Sequence, residues 1–465
     1  MNFARRFLVR AFLAFGALAT IAEAQVDETL APSLFAARRA RLLEGLGPEA
    51  VVVVCTAPVT NRNGDVDHLF RPASNFWYLT GFGEPDGAAL LETRDGKPHC
   101  TLFVPESDPG AELWTGPRLG VAGAKPLADE VIASGRFATE VAARIADRAD
   151  LFADFGGDER RHRELDAATK TTGGAGHATP PSFEESALKA AIGRLRLVKS
   201  GEEIALLRRA IDITCVAERE AMRFAAPGQH EYQLQAVIEG TYLLLGSPRV
   251  GFPSIVGSGR NSCILHYETN RAVIPPDRTI VLDLGAEFGM YSADVTRTIP
   301  SDGEFNAEQR VIYQAVLDAQ KAGIAAAKPG ATLGQIERAA RRVLADALVA
   351  AGVVKDSGAA HRLCPHGLCH WLGLDVHDEC PYTGDDGRGE VRLAPGMVTT
   401  VEPGCYIPAG SPGIDARWHE IGVRIEDDVL ITANGGVILS ASAPREIAEI
   451  EALMAESSHF PEKVE

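Results

Sequence analysis

The sequence predicts an α+β protein, with helices packed on an antiparallel-rich sheet and a smaller α/β domain ahead of them. Three observations carry this. Early in the chain, β-branched and aromatic runs such as "AVVVVCTAP" alternate with helical stretches at 34–46 and 136–148. Further on, amphipathic helical patterns begin at residue 200 and recur at 231–245, 307–327 and 333–351. Between and after those helices come paired β-rich runs around Gly-containing turns, in "TIVLDLGAEFGMYSADVTRTIP" and in "GMVTTVEPGCYI" with "HEIGVRIEDDVLIT".

The elements follow in order. Arg5, Arg6 and Arg10 precede or flank the apolar run "AFLAFGALATIA", which is followed by Ala22-Glu23-Ala24. A basic region, an apolar core and an A-x-A site form a secretory signal, so residues 1–24 are expected to be a leader and the protein exported, periplasmic or secreted. The run is too short for a permanent span and no later segment is long enough, so no membrane is expected in the mature form. "AVVVVCTAP" is expected to be a buried strand ended by Pro58. "FWYLTGF", "AALLE" and "HCTLFVP" are expected as further strands. "GGAGHATPPS", residues 173 to 182, is a Gly/Pro/Ser-rich linker. After it Ser200 is placed as the N-cap of a long helix, with Glu203 completing a capping box.

Composition narrows the function classes. The chain of 465 residues carries 46 Lys+Arg against 63 Asp+Glu, a formal charge of −17. That balance excludes a nucleic-acid binder, where a basic face is required. Hydrophobic content of 46% and charged content of 23% are ordinary for a globular protein with large cores. The eight cysteines lack the spacing of a small disulfide framework and read as buried hydrophobes.

The chemistry gathers around "HGLCHWLGLDVHDECP", residues 366 to 381, with His366, His370, His377, Asp375 and Asp378. A zinc helix fails, because Gly367 stands where H-E-x-x-H needs its glutamate and the glycines oppose a long helix. A redox pair fails too, because no C-x-x-C exists. Acids elsewhere decide the matter. Asp283 ends "TIVLD", Asp294 lies in "SADVTRT", Glu402 follows "MVTTV", and Glu426 sits in "IGVRIEDD". A carboxylate at the end of an apolar strand must be paired, protonated or metal-bound. Arg424 and Glu426, on one strand face, could be an ordinary ion pair. Four such acids with one histidine form a hard, oxygen-rich set that favours Mn²⁺, Co²⁺ or Mg²⁺ over structural zinc.

The ordered series Asp283, Asp294, His370, Glu402, Glu426 resembles the pita-bread metallopeptidases of family M24, a group that includes methionine aminopeptidase, prolidase and aminopeptidase P. The likeness covers roughly residues 195 to 450 and rests on "DLGAEFGMYSADVTRT", "HGLCHWLGLDVHD", "VEPGCYI" and "IGVRIEDD". "FRPASNFWYLTGF" and "AELWTGPRLG" resemble the smaller domain of aminopeptidase P, which methionine aminopeptidase lacks. The resemblance divides the chain into a 25–180 N-terminal α/β domain and a 181–465 pita-bread domain. It implies two divalent ions held by Asp283, Asp294, His370, Glu402 and Glu426, with manganese expected and cobalt or zinc as alternatives. It also implies attack by a metal-bridging hydroxide on peptides with proline second, and release of the N-terminal residue. Glu402 would shuttle the proton, and His266, His366 and His377 would line the substrate and steady the oxyanion, with Arg424 beside them. Prolidase, acting on dipeptides, is the alternative reading, and an inactive peptide-binding protein of the same fold is a third. A homo-oligomer, dimer or tetramer, is expected.

Overall fold

A computed structural model describes residues 30–460, apart from 147, 149, 173–181 and 385–386. The leader, nearly all of the linker and the 180/181 boundary therefore lie outside the described residues. The chain forms two compact units, Thr29–Leu197 with Glu379–Pro381, and Val198–Asp378 with Tyr382–Glu465.

The first unit is built on a five-stranded sheet in the order Glu130–Ala133, Lys97–Val104, Ala88–Arg94, Val51–Cys55, Leu151–Asp154. The inner ladders are antiparallel and both edge strands join in parallel. Helices cover the sheet because its strands are apolar on both faces: all five residues of Val51–Cys55 are buried. Helix Phe137–Ile145 packs Phe137, Val141 and Ile145 into that core. One expectation is corrected here. "FWYLTGF" is mostly a helix, Ser74–Thr80, not a strand. Phe76, Trp77, Tyr78 and Leu79 are all buried, so no periodicity distinguished the two, and aromatic content pointed to β. Gly81 ends the helix in the left-handed region at φ 69, where its missing Cβ also leaves room for the Phe35 ring.

In the second unit the helices are Gly201–Phe224, Glu231–Leu244, Ala307–Ala326 and Leu333–Ala350. The Ser200–Glu203 capping box opens the first. All the strand ladders here are antiparallel. Strand Thr279–Leu284 lies between Val295–Pro300 and Ile255–Ser258. The run from 279 to 300 holds four strands, not two, because Ala286–Phe288 turns at Gly289 and Met290 onto Tyr291–Ser292. The expected six-residue turn is thus a tight one, with both turn residues at positive φ.

Three of the four acids also sit differently from the strand placement expected for them. Asp294 occupies the break between Tyr291–Ser292 and Val295–Pro300. Glu402 falls between Val398–Val401 and Gly404–Ile407, and Glu426 between Ile421–Arg424 and Asp427–Thr432. Where a strand changes its partner, one residue leaves the ladder and its side chain is re-aimed. Only Asp283 stands within a strand, opposite Thr296 on one side and Ile255 on the other.

Arg297 holds this region from behind. Fully buried, it pairs with Asp427 at 2.7 Å and donates to the carbonyls of Glu426, Ala443 and Pro444. Asp427 in turn accepts from Gln320 and Arg445. Removing one partner of a buried pair leaves an uncompensated charge, so Arg297→Met is expected to cost about 3–5 kcal/mol. Chemical denaturation measures it, and a loss under about 1 kcal/mol would remove Arg297 from this role.

Candidate metal centre

His370 is anchored before it is aimed. Trp371 beside it is fully buried, and residues 370–371 pair with strand Val398–Val401. The backbone N–H of Thr400 donates to the His370 carbonyl at 3.0 Å, and that of Glu402 to the Leu368 carbonyl at 3.0 Å. Nδ1 of His370 sits 3.1 Å from the Trp371 carbonyl, which leaves Nε2 to face the acids. Nε2 is 3.3 Å from Asp294, 3.7 Å from Glu402 and 4.0 Å from Glu426. One ligand atom each from Asp294, His370 and Glu426 can be chosen within 4.8 Å of one another.

The acids are oriented by neighbours. Thr296 donates to Glu426 Oε2 at 2.7 Å, leaving Oε1 buried without a partner. Arg424 donates to Asp283 Oδ2 at 2.5 Å, leaving Oδ1 likewise unpartnered. The Asp294 N–H donates to Asp428 at 3.2 Å, which ties down the loop. Arg424 therefore pairs with Asp283, and the Arg424–Glu426 pair that the strand alternation allowed does not form. A second hydrogen-bond chain starts at the same guanidinium. Arg424 donates to the Tyr406 hydroxyl at 2.9 Å, and that hydroxyl lies 2.9 Å from His366 Nε2. Gly404 makes room for it, since a Cβ there would stand 2.4 Å from the Tyr406 oxygen.

The electrostatics follow from burial. Burial raises the carboxyls of Asp294 and Glu426 well above the usual range, Asp283 adding to the first and Asp294 to the second. Burial also pushes Glu402 up to about 7, against the pull of His370 and Arg424. His366 is pushed down to about 4 by burial and then by Arg424, so it is neutral at pH 7. Its Nδ1–H can donate to the Gly367 carbonyl, 2.7 Å away, while Nε2 accepts from Tyr406. Burial, and then His370, lowers His377. Unpartnered oxygens on Asp283 and Glu426, in the cavity that also holds one free imidazole nitrogen, fit a divalent cation: hard donors, short of positive charge.

Nine of the residues singled out in the sequence line one cavity of about 460 Å³: His266, Asp283, Asp294, His366, His370, His377, Glu402, Arg424 and Glu426. His266 and His377 are exposed within it. The His377 and His370 rings are 4.2 Å apart. Asp378 stands outside the centre, in a buried pair with Lys199 at 3.0 Å. All eight cysteines are free. Sequence reasoning did not single out Tyr406, although it lies in the quoted "VEPGCYI"; a hydroxyl within an apolar strand end was the available signal. It also passed over Asp428, the last acid of "IEDD".

Strands that break where carboxylates converge on one imidazole define a metallohydrolase centre. Comparison with known proteins makes this specific. Residues 205–433 match the model of metallopeptidase family M24, and residues 35–152 match the aminopeptidase P N-terminal domain. The chain is 36% identical over 435 residues to Xaa-Pro aminopeptidase of Escherichia coli, covering 90% of this chain and 97% of that protein. Human Xaa-Pro aminopeptidase 3 is 34% identical, covering 89% of this chain and 82% of its own. The structure of aminopeptidase PepP of Pseudomonas aeruginosa superposes with a TM-score of 0.84 at 36% identity, covering 92% of this chain and 98% of that one. The chain belongs to metallopeptidase family M24, with an aminopeptidase P type domain at its N-terminal side.

Membership in that family implies divalent metal ions, and the raised carboxyls give them a pH signature. A carboxyl raised in the folded state adds stability below its unfolded pKa and loses it as pH rises through the folded value. For metal-free protein that loss runs from about 4.5 to about 7 at Glu402. The gap in Tm between metal-loaded and EDTA-treated protein is therefore expected to widen across this window, and to widen less in Glu402→Gln. Calorimetry at fixed ionic strength measures it; a constant gap would contradict the uncompensated cluster.

Proposed function

We propose that this protein is an Xaa-Pro aminopeptidase, releasing the N-terminal residue from peptides whose second residue is proline. The observation that carries the reading is the convergence of Asp294, Glu402 and Glu426 on His370 Nε2 within 4.0 Å, in a chain whose relatives bear that name along nine tenths of its length. Prolidase is not favoured for the same reason.

Asp283, Asp294, His370, Glu402 and Glu426 would hold two divalent ions, of which manganese suits the oxygen-rich set. Bound there, the ions would polarise the scissile carbonyl and make water nucleophilic near neutral pH. The chain's own groups do the rest. The Glu402 carboxyl, in the cavity beside His370, would take a proton and return it to the leaving nitrogen. That nitrogen, in proline, carries no hydrogen as an amide, so it must gain one to leave. His377 and His266, exposed in the cavity, are placed to donate to the carbonyl oxygen as charge develops. Arg424 fixes Asp283 and, through Tyr406, the neutral His366. His366 therefore acts by positioning the wall beside Glu402, 3.6 Å away.

The basic, apolar and A-x-A pattern of residues 5–24 supports export, with Gln25 as the first mature residue. Among the described residues no helix is long and apolar enough to cross a membrane. Exposed Leu69, Leu113 and Trp114, at 82–90% accessibility, support assembly into a homo-oligomer.

Hydrolysis of Ala-Pro-Ala by the Mn²⁺-loaded protein, giving Ala and Pro-Ala, is the expected outcome. Cleavage of the dipeptide Ala-Pro alone would replace the reading with prolidase. Within the site, His377→Ala is expected to retain both ions and lose about 10²–10³ in kcat. His370→Ala is expected to lose metal itself. Metal analysis beside kinetics separates the two, and a metal-depleted His377→Ala with a loaded His370→Ala would reverse the assignment.

A further inference from the structure

We propose that the cavity beside the active one is a second peptide-binding site, which takes the C-terminal end and free carboxylate of substrates longer than a tripeptide. This rests on the peptidase reading above.

The second cavity, of about 570 Å³, shares Leu265 with the first, and its Tyr406 is bonded to Arg424 and His366 of the first. Two chain segments run directly from one to the other. Cys263 lines the second cavity and His266 the first, with Leu265 in both, while Pro365 lines the second and His366 the first. Neighbouring residues span at most about 3.6 Å each, so the cavities adjoin within a few residues' length. The wall between them is fixed: Tyr406 is tied to Arg424 and His366, and the Leu265 carbonyl accepts from Arg424 at 3.4 Å. A peptide held at the acids would reach across Leu265 with about two further residues.

The chemistry of the second cavity fits a peptide end. Leu363 and Ile414 supply apolar surface, and Lys355 and Arg362 stand exposed at the rim. Lys355 has no ion pair among the described residues, and Arg362 donates only to a carbonyl of its own helix. Asp356, which also lines the cavity, caps helix Ser357–Arg362 through the Ala359 N–H and keeps its charge, so Lys355 and Arg362 leave the lining one positive charge in excess. Two uncommitted cations above an apolar floor match an apolar side chain carrying an α-carboxylate, and disfavour a cationic or C-terminally amidated end.

The test compares kcat/KM for Ala-Pro-Ala, Ala-Pro-Ala-Ala-Leu and the amide of that pentapeptide. It uses Mn²⁺-loaded wild type, the double variant Lys355→Ala/Arg362→Ala, and Ala359→Trp, which fills the cavity. In wild type the pentapeptide acid is expected to exceed its amide by about 3–10-fold. That ratio is expected to fall to about 1 in the double variant, and the gain of pentapeptide over tripeptide to shrink in Ala359→Trp. Equal rates for acid and amide at both lengths in wild type would overturn the inference, as would an advantage that survives both variants. Cleavage of none of the three would overturn the peptidase reading and this inference together, whereas cleavage with a flat ratio overturns the inference alone.

Discussion

Mutual repulsion among buried carboxylates is the constraint around which the second unit is organised. Asp283, Asp294, Glu402 and Glu426 face a single cavity, three of them within 4.0 Å of one imidazole nitrogen. Two unit charges 4 Å apart repel by about 4 kcal/mol even at the effective dielectric near a protein surface. Among the four, Arg424 hydrogen-bonds only Asp283, through one oxygen. Cations are the natural remainder of the balance, and the fold prepares for them with oxygens that nothing else in the described chain engages.

The positioning is indirect. Each of Asp294, Glu402 and Glu426 sits where a strand gives up one partner and takes another. Holding those breaks open falls to residues that never face the cavity: Arg297 on the Glu426 carbonyl, Asp428 on the Asp294 N–H, and Thr399 and Thr400 around His370. The Arg424–Tyr406–His366 chain then carries order from the acid side of the cavity to its histidine wall. The same tyrosine lines the second cavity, so one hydroxyl is tied to residues of the first cavity while its ring stands in the second.

Much of this was legible in the residues. The antiparallel ladders, the Ser200 cap and the helices near 231, 307 and 333 follow from periodicity and capping, and the structure places them within one or two residues. All nine candidate side chains meet in one cavity because acids at strand ends have few other tolerable fates. What escaped was tertiary in origin. "FWYLTGF" is buried all round, which erases the period that separates helix from strand. The strand breaks at Asp294, Glu402 and Glu426 depend on which strand lies opposite, and no local pattern announces that. Tyr406 earns its role only through two partners 18 and 40 residues away.

The central claim is that these five side chains hold two divalent ions. Its most direct measurement is anomalous diffraction from crystals of Mn²⁺-loaded protein, with metal analysis of the same sample. Two ions per chain are expected, both bonded within the set Asp283, Asp294, His370, Glu402 and Glu426. Ions bound elsewhere, or fewer than one per chain after reconstitution, would contradict it.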